Sequence, residues 1–289
     1  MRWRDADGTT LAATALLGAM VFGAVLVPLA ATTDPLAIGD VLALRLVPPF
    51  GRDASGAFHL LGTDRFGRDL LVRMMLAARL SLAIGVAGSV LSAALGTAVG
   101  ALSAWRGGVV DGIAMAVTDA FLAVPRLVLL LVCAALWRPG VLTVLAVLGA
   151  TGWMGVARIV RGEVLGVRAL PYVEAAHALG VSPYRVLWRH VLPNSLGPAI
   201  VATTLGVGNA ILLESGLSFL GLGIQPPRPS WGNMIAGGRD LIVAAPWVAL
   251  APGVALILSV LAVTLLGDRL RDRLAGERGP MARSLGERA

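Results

Sequence analysis

The sequence contains no lysine: every one of its 24 basic residues is an arginine. A phosphate-binding P-loop needs Gly-Lys-Ser/Thr, with the lysine reaching the phosphates, so this chain cannot build a standard one. If ATP drives it, another subunit binds the ATP. Cysteine is nearly absent as well. Cys133 stands alone, which excludes an internal disulfide or a cysteine-rich metal site, and its apolar surroundings suit a small buried hydrophobe. The three histidines, His59, His177 and His190, are too scattered for a metal cluster. No Ser/His/Asp set stands at a recognisable spacing. The chain is therefore expected to be no enzyme, with no catalytic residue, no metal ligand and no cofactor of its own.

Charge is scarce too, at 14% of residues against about a quarter in ordinary soluble domains. In its place are 57% apolar residues and a mean hydropathy of +0.81. These values exclude disordered and fibrous classes and point to a membrane-embedded chain of 289 residues. The net charge of +7 and the pI near 11.2 would suggest nucleic acid in a soluble protein. Here the arginines lie between apolar runs, where they orient helices and meet anionic headgroups. The expected partner is a lipid bilayer and not a nucleic acid.

A spanning helix takes about 20 predominantly apolar residues, and six segments qualify: Leu11 to Thr32, Leu80 to Ala104, Gly112 to Trp137, Val141 to Ala157, Ser195 to Phe219, and Leu241 to Gly267. The first follows Arg2 and Arg4, but it exceeds the about 7–15 residues of a signal-peptide core and reads as an uncleaved anchor. In the second, Gly88, Gly96 and Gly100 share nearly one helical face, which lets a neighbour approach closely. Six spans put both termini on one side. With cytoplasmic termini, that side holds 14 arginines and the other nine, with Arg126 inside a span. The positive-inside bias thus favours cytoplasmic termini. The stretch Asp64 to Arg79 is amphipathic and could lie along the interface.

Three charges fall inside spans: Asp119, Arg126 and Glu214. Each costs about 2.5–3.5 kcal/mol at mid-bilayer and should face the bundle interior or water. Asp119 and Glu214 read either as lining a translocation path or as pairing between helices. Arg126 reads as structural or interfacial. It lies seven residues after Asp119, on the same face but two turns away, so the two cannot pair unless Pro125 kinks the helix.

The longest loop between spans runs from Arg168 to Asn194. Pro171 suits a first helical position, Gly180 a helix C-terminus, Ser182-Pro183 a restart, and Pro193-Asn194 a stop. The pattern gives two short helices joined by a tight turn. Small Ala175 and Ala176 permit close approach, and Glu174 places one charge beside them. Elsewhere, Gly62-Thr63-Asp64 and Gly67-Arg68-Asp69 read either as turns closed by Asp side chains or as a docking surface involving Asp64, Arg68 and Asp69. Trp231, in the loop before the last span, is a candidate interfacial anchor.

The Arg168–Asn194 loop resembles the signature E-A-A-x3-G-x9-I-x-L-P of ABC-transporter membrane permeases. It supplies Glu174-Ala175-Ala176, Gly180, then His190 where the general pattern has Ile, followed by Leu192-Pro193. The variant continuing as Arg-His-Val-Leu-Pro-Asn is similar to the peptide/nickel branch. So are His59-Leu-Leu-Gly-Thr-Asp-Arg-Phe-Gly-Arg-Asp69 and the segment from Leu217 through Gln225-Pro-Pro227 to Trp231-Gly232 and Met234. The likeness covers roughly Phe58 to Arg273.

That resemblance implies an all-α integral membrane protein of the type I ABC-importer permease fold, with six transmembrane helices and a cytoplasmic coupling helix between spans four and five. It implies residues 1–75 as an anchor helix plus an external segment, 76–270 as the permease core, and 271–289 as a basic tail. The function implied is that of a C-type permease subunit of a dipeptide, oligopeptide or nickel importer in a bacterial inner membrane. It would form half of the path. Its partners would be a second permease, two cytoplasmic ATPases that bind ATP and Mg, and an external substrate-binding protein. Glu174, Ala175, Ala176, Gly180, Leu192 and Pro193 would couple to the ATPases; Asp64, Arg68, Asp69 and Trp231 would face the binding protein. The competing class, a stand-alone secondary transporter or channel, needs ion-coupling groups and usually an internal repeat, and no repeat is visible. The lack of a histidine or cysteine cluster in the spans favours peptides over nickel as cargo.

Overall fold

The computed structural model describes residues 8–31 and 41–286; Arg2, Arg4, Thr32 and Arg288 lie outside them. Helix α1 (Gly8–Ala30) is followed by a short α2 (Val41–Leu44) and a two-stranded antiparallel hairpin, β1 (Gly51–Arg52) and β2 (Phe58–His59), with Gly51 opposite His59. Then come α3 (Leu70–Arg106), α4 (Gly108–Ala123), α5 (Arg126–Ala135), α6 (Val141–Arg168), α7 (Pro171–Ala178) and α8 (Pro183–Val186). A π-helical turn (Leu187–Val191) leads into α9 (Leu192–Ser195), followed by α10 (Gly197–Phe219), α11 (Trp231–Gly238) and α12 (Trp247–Gly286). Five of these helices are long and apolar enough to cross a membrane, and six crossings result when α4 and α5 count as one bent span.

The crossings fall where the apolar runs place them, but their boundaries differ. Helix α3 starts at Leu70, ten residues before the expected position, because Asp69 caps it by accepting from the Val72 N–H at 3.0 Å. The stretch Asp64 to Arg79 is therefore a turn plus the first turns of a span, not a separate interfacial helix. At 37 residues α3 is about 55 Å long and outruns the about 30 Å hydrocarbon layer. Helix α6 likewise continues to Arg168. The span expected from Gly112 to Trp137 breaks at Val124–Pro125, where α4 and α5 meet at 89°. Pro125 carries no N–H and forces Val124 out of the helical region, to φ −86° and ψ 128°.

Helices α3 and α6 run side by side in the same direction and share the most extensive contact of the fold. A Cβ on Gly96 would come within 2.7 Å of Val156 Cβ, and one on Gly100 would overlap the Ala157 carbonyl. Gly88 faces Leu148, also on α6, while Gly85 faces Ile211 on α10. The glycine face expected from spacing is thus a seam where backbones touch. Ser92 Oγ crosses the seam, donating to the Leu148 carbonyl at 2.9 Å. Cys133 is half-buried at the edge of the cluster formed by Ile84, Leu130, Val144 and Leu148, where a fully buried side chain was expected.

Helix α1 packs on α3 and α12. Pro28 cannot donate to the Ala24 carbonyl one turn earlier, and in a bilayer such a carbonyl must find another donor. Arg79 of α3 supplies it: its Nε donates to the Ala24 oxygen, and its Nη2 donates to the Val25 oxygen at 2.8 Å.

Two outcomes follow for stability in detergent. Gly96→Leu should cost about 3 kcal/mol of stability, seen as a lowered unfolding midpoint, because backbone atoms of α6 cannot retreat. Arg79→Met should cost about 1–3 kcal/mol by stranding the Ala24 carbonyl, and an unchanged midpoint would exclude that role.

Candidate functional site

Helix α7 projects from one end of the bundle, between the ends of α3 and α6. Leu170 lies in extended backbone ahead of it and Pro171 takes the first turn. At the other end, Gly180 adopts φ +77°, a conformation that suits glycine. Its N–H donates to the His177 oxygen at 3.0 Å, and the Val181 N–H donates to the Ala176 oxygen at 3.2 Å, the Schellman pattern of helix closure. Val173 is buried, and its neighbours include Ala101, Ala104, Val160 and Val164 of the two long helices. The ring of His177 stacks on Trp105 with centroids 5.9 Å apart. Arg168 lies over the same indole and donates to the Ala104 and Trp105 carbonyls at 3.1 and 3.3 Å.

The outer face of α7 is left open. Glu174 and Ala175 are exposed, Ala176 is half-buried, and Leu179 is 84% exposed. Tyr172, Tyr184 and Trp188 are exposed around them. Gly180 and Pro193 are exposed as well, while Leu192 packs into the buried cluster behind α7. The six residues of the signature therefore divide into an outward contact surface and the hinge and packing residues that hold it.

At the opposite end the segment from His59 to Asp69 forms one polar knot. Asp64 accepts from the N–H groups of Phe66 at 2.8 Å and Arg68 at 3.0 Å, and from Arg68 Nε at 2.8 Å, with Arg73 Nε 3.5 Å away. Thr63 Oγ1 donates to the Leu44 carbonyl and accepts from the Val47 N–H. His59 lies between two carboxylates, 2.7 Å from Asp69 and 3.2 Å from Asp53. Asp53 also receives Ser55 Oγ and the Ala57 N–H. Those bonds, the one from Ser55 first, hold its carboxyl at about 2 against an ordinary 3.8. Burial works against a charged His59, but the Asp69 and Asp53 bonds outweigh it and raise the imidazole above 6.5.

Asp64, Asp69 and Arg68 are therefore engaged with their own turns, while Arg65 and Arg228 stand exposed at that rim. Trp231 departs furthest from expectation. It is fully buried beneath α3, with its indole N–H donating to the Met74 carbonyl at 3.3 Å, so it is no surface anchor. Gly232 brings α11 against the Ser215 backbone, and Ser230 with Asn233 closes a capping box around the start of α11.

The charges within spans are each accounted for differently. Glu214 is 0% exposed; it accepts from Ser218 Oγ at 2.7 Å, from Ser81 Oγ at 2.9 Å and from Ser215 Oγ at 3.4 Å. It ties α10 to α3 and touches no open path in this conformation. Asp119 pairs with Arg158, both more than half exposed, and Asp111 pairs with Arg161 at 2.6 and 2.7 Å. Arg158 and Arg161, expected in a loop, are α6 residues holding α4 in place.

Arg126 does not meet Asp119 across the break. Its Nε is buried and has no hydrogen-bond partner among the described residues. It borders a cavity of about 290 Å³ between α3, α6 and α10. Sequence reasoning missed this cavity, since only packing brings Ser92, Gly152 and Asn209 together.

The profile of the family described as "binding-protein-dependent transport system inner membrane component" matches residues 96–276. A Brucella suis biovar 1 (strain 1330) protein named as a peptide transport system permease is 42% identical over 259 residues, covering 90% of this chain and 84% of its own. The oligopeptide transport system permease protein OppC of Bacillus subtilis (strain 168) is 39% identical over 216 residues, 75% of this chain and 71% of its own. Among solved structures, an inward-facing form of the MetNI methionine ABC transporter superposes with a TM-score of 0.58 at 19% identity. It covers 71% of this chain and 96% of that one, a likeness of fold.

Glu214→Ala should cost about 3 kcal/mol of stability, seen as a lowered unfolding midpoint, since three buried hydroxyls lose their acceptor, and Glu214→Gln clearly less. A raised His59 contributes stability that is complete below its unfolded value of 6.5 and disappears as pH climbs through the folded value. Asp53 contributes above 3.8 and fails as pH falls toward about 2. Amide exchange in residues 51–62 should therefore be slowest between about pH 4 and 6.5 and quicken toward pH 8, beyond the intrinsic pH effect. His59→Leu should abolish that excess.

Proposed function

This chain belongs to the family of binding-protein-dependent transport system inner membrane components, and on that footing we propose that it is the membrane-spanning permease subunit of an ATP-driven importer of short peptides. The observation that carries the reading is α7: an exposed Glu174-Ala175 face held rigidly against the ends of both long helices. The names carried by the Brucella and Bacillus relatives support a peptide cargo. In this reading a second permease completes the path, and two ATPases bind ATP and Mg. The α7 end is cytoplasmic, as are the termini, in agreement with the arginine bias. The hairpin end faces the external binding protein and meets it through exposed Arg65 and Arg228 instead of the buried Trp231. Residues 1–75 serve as an anchor and external segment ahead of the core at 76–270, with 271–289 as a cytoplasmic tail.

The lever works through packing. When the ATPases close on ATP they displace α7, and Val173, His177 and Arg168 pass that displacement to α3 and α6 without an intervening flexible segment. The two permeases then alternate between inward- and outward-open arrangements.

Purification of the complex should bring an ATPase subunit with this chain, and proteoliposomes carrying the complex and its binding protein should accumulate labelled tripeptide only with ATP. Ala175→Arg should abolish ATPase association by placing a long cation on the contact face, and Glu174→Ala should cut uptake about tenfold, the value of one charged contact of about 1.4 kcal/mol. Gly180→Val strains a left-handed backbone by about 1–2 kcal/mol and should uncouple ATP hydrolysis from uptake. Full uptake by these variants would remove α7 from the coupling path.

A further inference from the structure

The cavity beside Arg126 lies at mid-membrane. Its wall includes Ser92 of α3, Gly152 of α6 and Asn209 of α10, each near the middle of its own span. It also lies beside the break between α4 and α5, where the last carbonyls of α4 lose their helical partners. Irregular backbone at that depth is tolerated only against protein or a water-filled space. The exposed pair Asp119–Arg158 lies on the neighbouring part of α4 and α6, and Gly155, Ile159 and Asn209 open the cavity outward. Charges of that kind cannot face lipid cheaply. This face is therefore the wet one.

The donors in the wall are unevenly committed. Ser89 and Ser92 give their protons to the Thr203, Gly88 and Leu148 carbonyls, and Thr203 to Ala199. No acidic side chain lines the cavity. That leaves Arg126, whose buried Nε has no partner among the described residues, and the Asn209 amide. A Cβ on Gly152 would collide with the Ser92 hydroxyl and come 2.9 Å from an Arg126 terminal nitrogen, so the glycine keeps space in front of the guanidinium. A wall with one uncompensated cation and unfilled donors accepts an anion, and a planar fork suits a carboxylate.

We propose that this cavity is a substrate site in the translocation path, in which the Arg126 guanidinium, assisted by Asn209, holds the carboxylate of the passing peptide. The proposal rests on the peptide-permease reading above and adds the group of the cargo that is recognised. Arg126 thereby changes from a structural charge to a binding residue, and the site gives the carboxylate a counter-ion midway along its path.

The test is ATP-driven uptake by the complete complex in proteoliposomes, with its binding protein, of trialanine and of trialanine amide. One binding protein serves all assays, so its own preference cancels in the ratio of variant to wild type. Arg126→Gln should slow the free acid about tenfold, the loss of one charge-assisted bond, and the amide less than about twofold. Arg126→Lys, which keeps the charge but loses the fork, should recover only part of the acid rate, and Asn209→Leu, at an exposed position, should slow the acid selectively by about threefold. Equal slowing of acid and amide by Arg126→Gln, or a normal acid-to-amide ratio in Asn209→Leu, would overturn the proposal while leaving the peptide reading intact. Absence of uptake of either peptide by the wild-type complex would overturn both.

Discussion

The backbone contact between α3 and α6 is the constraint from which the other features take their positions. Gly88, Gly96 and Gly100 let the two helices touch along the membrane's depth, and their parallel course carries Arg106 and Arg168 out at the same end. Helix α7 is docked against those two ends. At mid-depth the same seam sets Ser92 against Gly152 and leaves the cavity open beside them. Side chains larger than hydrogen at these glycines would separate the helices by ångströms and undo the support of α7 and the shape of the cavity together.

The second governing condition is that polar atoms within the bilayer need partners. Several of the polar groups exposed in this way have side-chain partners. Pro28 frees a carbonyl, and Arg79 answers it. Glu214 would be a buried charge without support, and hydroxyls from α3 and α10 surround it. Asp111 and Asp119 hang from α4, and arginines of α6 meet both. By contrast, the buried Nε of Arg126, at the break in the third crossing, has no hydrogen-bond partner among the described residues.

The two ends of the bundle are built for different work. At the hairpin end, carboxylates close turns and cap helices: Asp53, Asp64 and Asp69 each bind backbone N–H groups, so the segment is stiff and its acids are consumed internally. At the α7 end the tertiary contacts face inward and the outer surface keeps its tyrosines, Trp188, Leu179 and Glu174 free. One end of the bundle is thus closed on itself and the other carries an uncovered helix.

Apolar run length sufficed to show that the chain spans a membrane about six times, because the hydrocarbon thickness sets that length whatever the neighbours are. The glycine period of α3 and the Pro171–Gly180 punctuation of α7 are local backbone chemistry and were readable for the same reason, whereas the 89° break at Pro125 fell inside what the chain alone presented as one span. The signature around Glu174 marked the segment that folds as the exposed helix α7. What the chain alone left open were partnerships between residues far apart in sequence. Glu214 could equally have lined a path, Trp231 could have sat on the surface, and Arg126 could have found an acidic partner. Each question turned on which helix faces which. That is decided by packing of small residues across α3, α6 and α10, where a shift of one turn would give every charge a different neighbour.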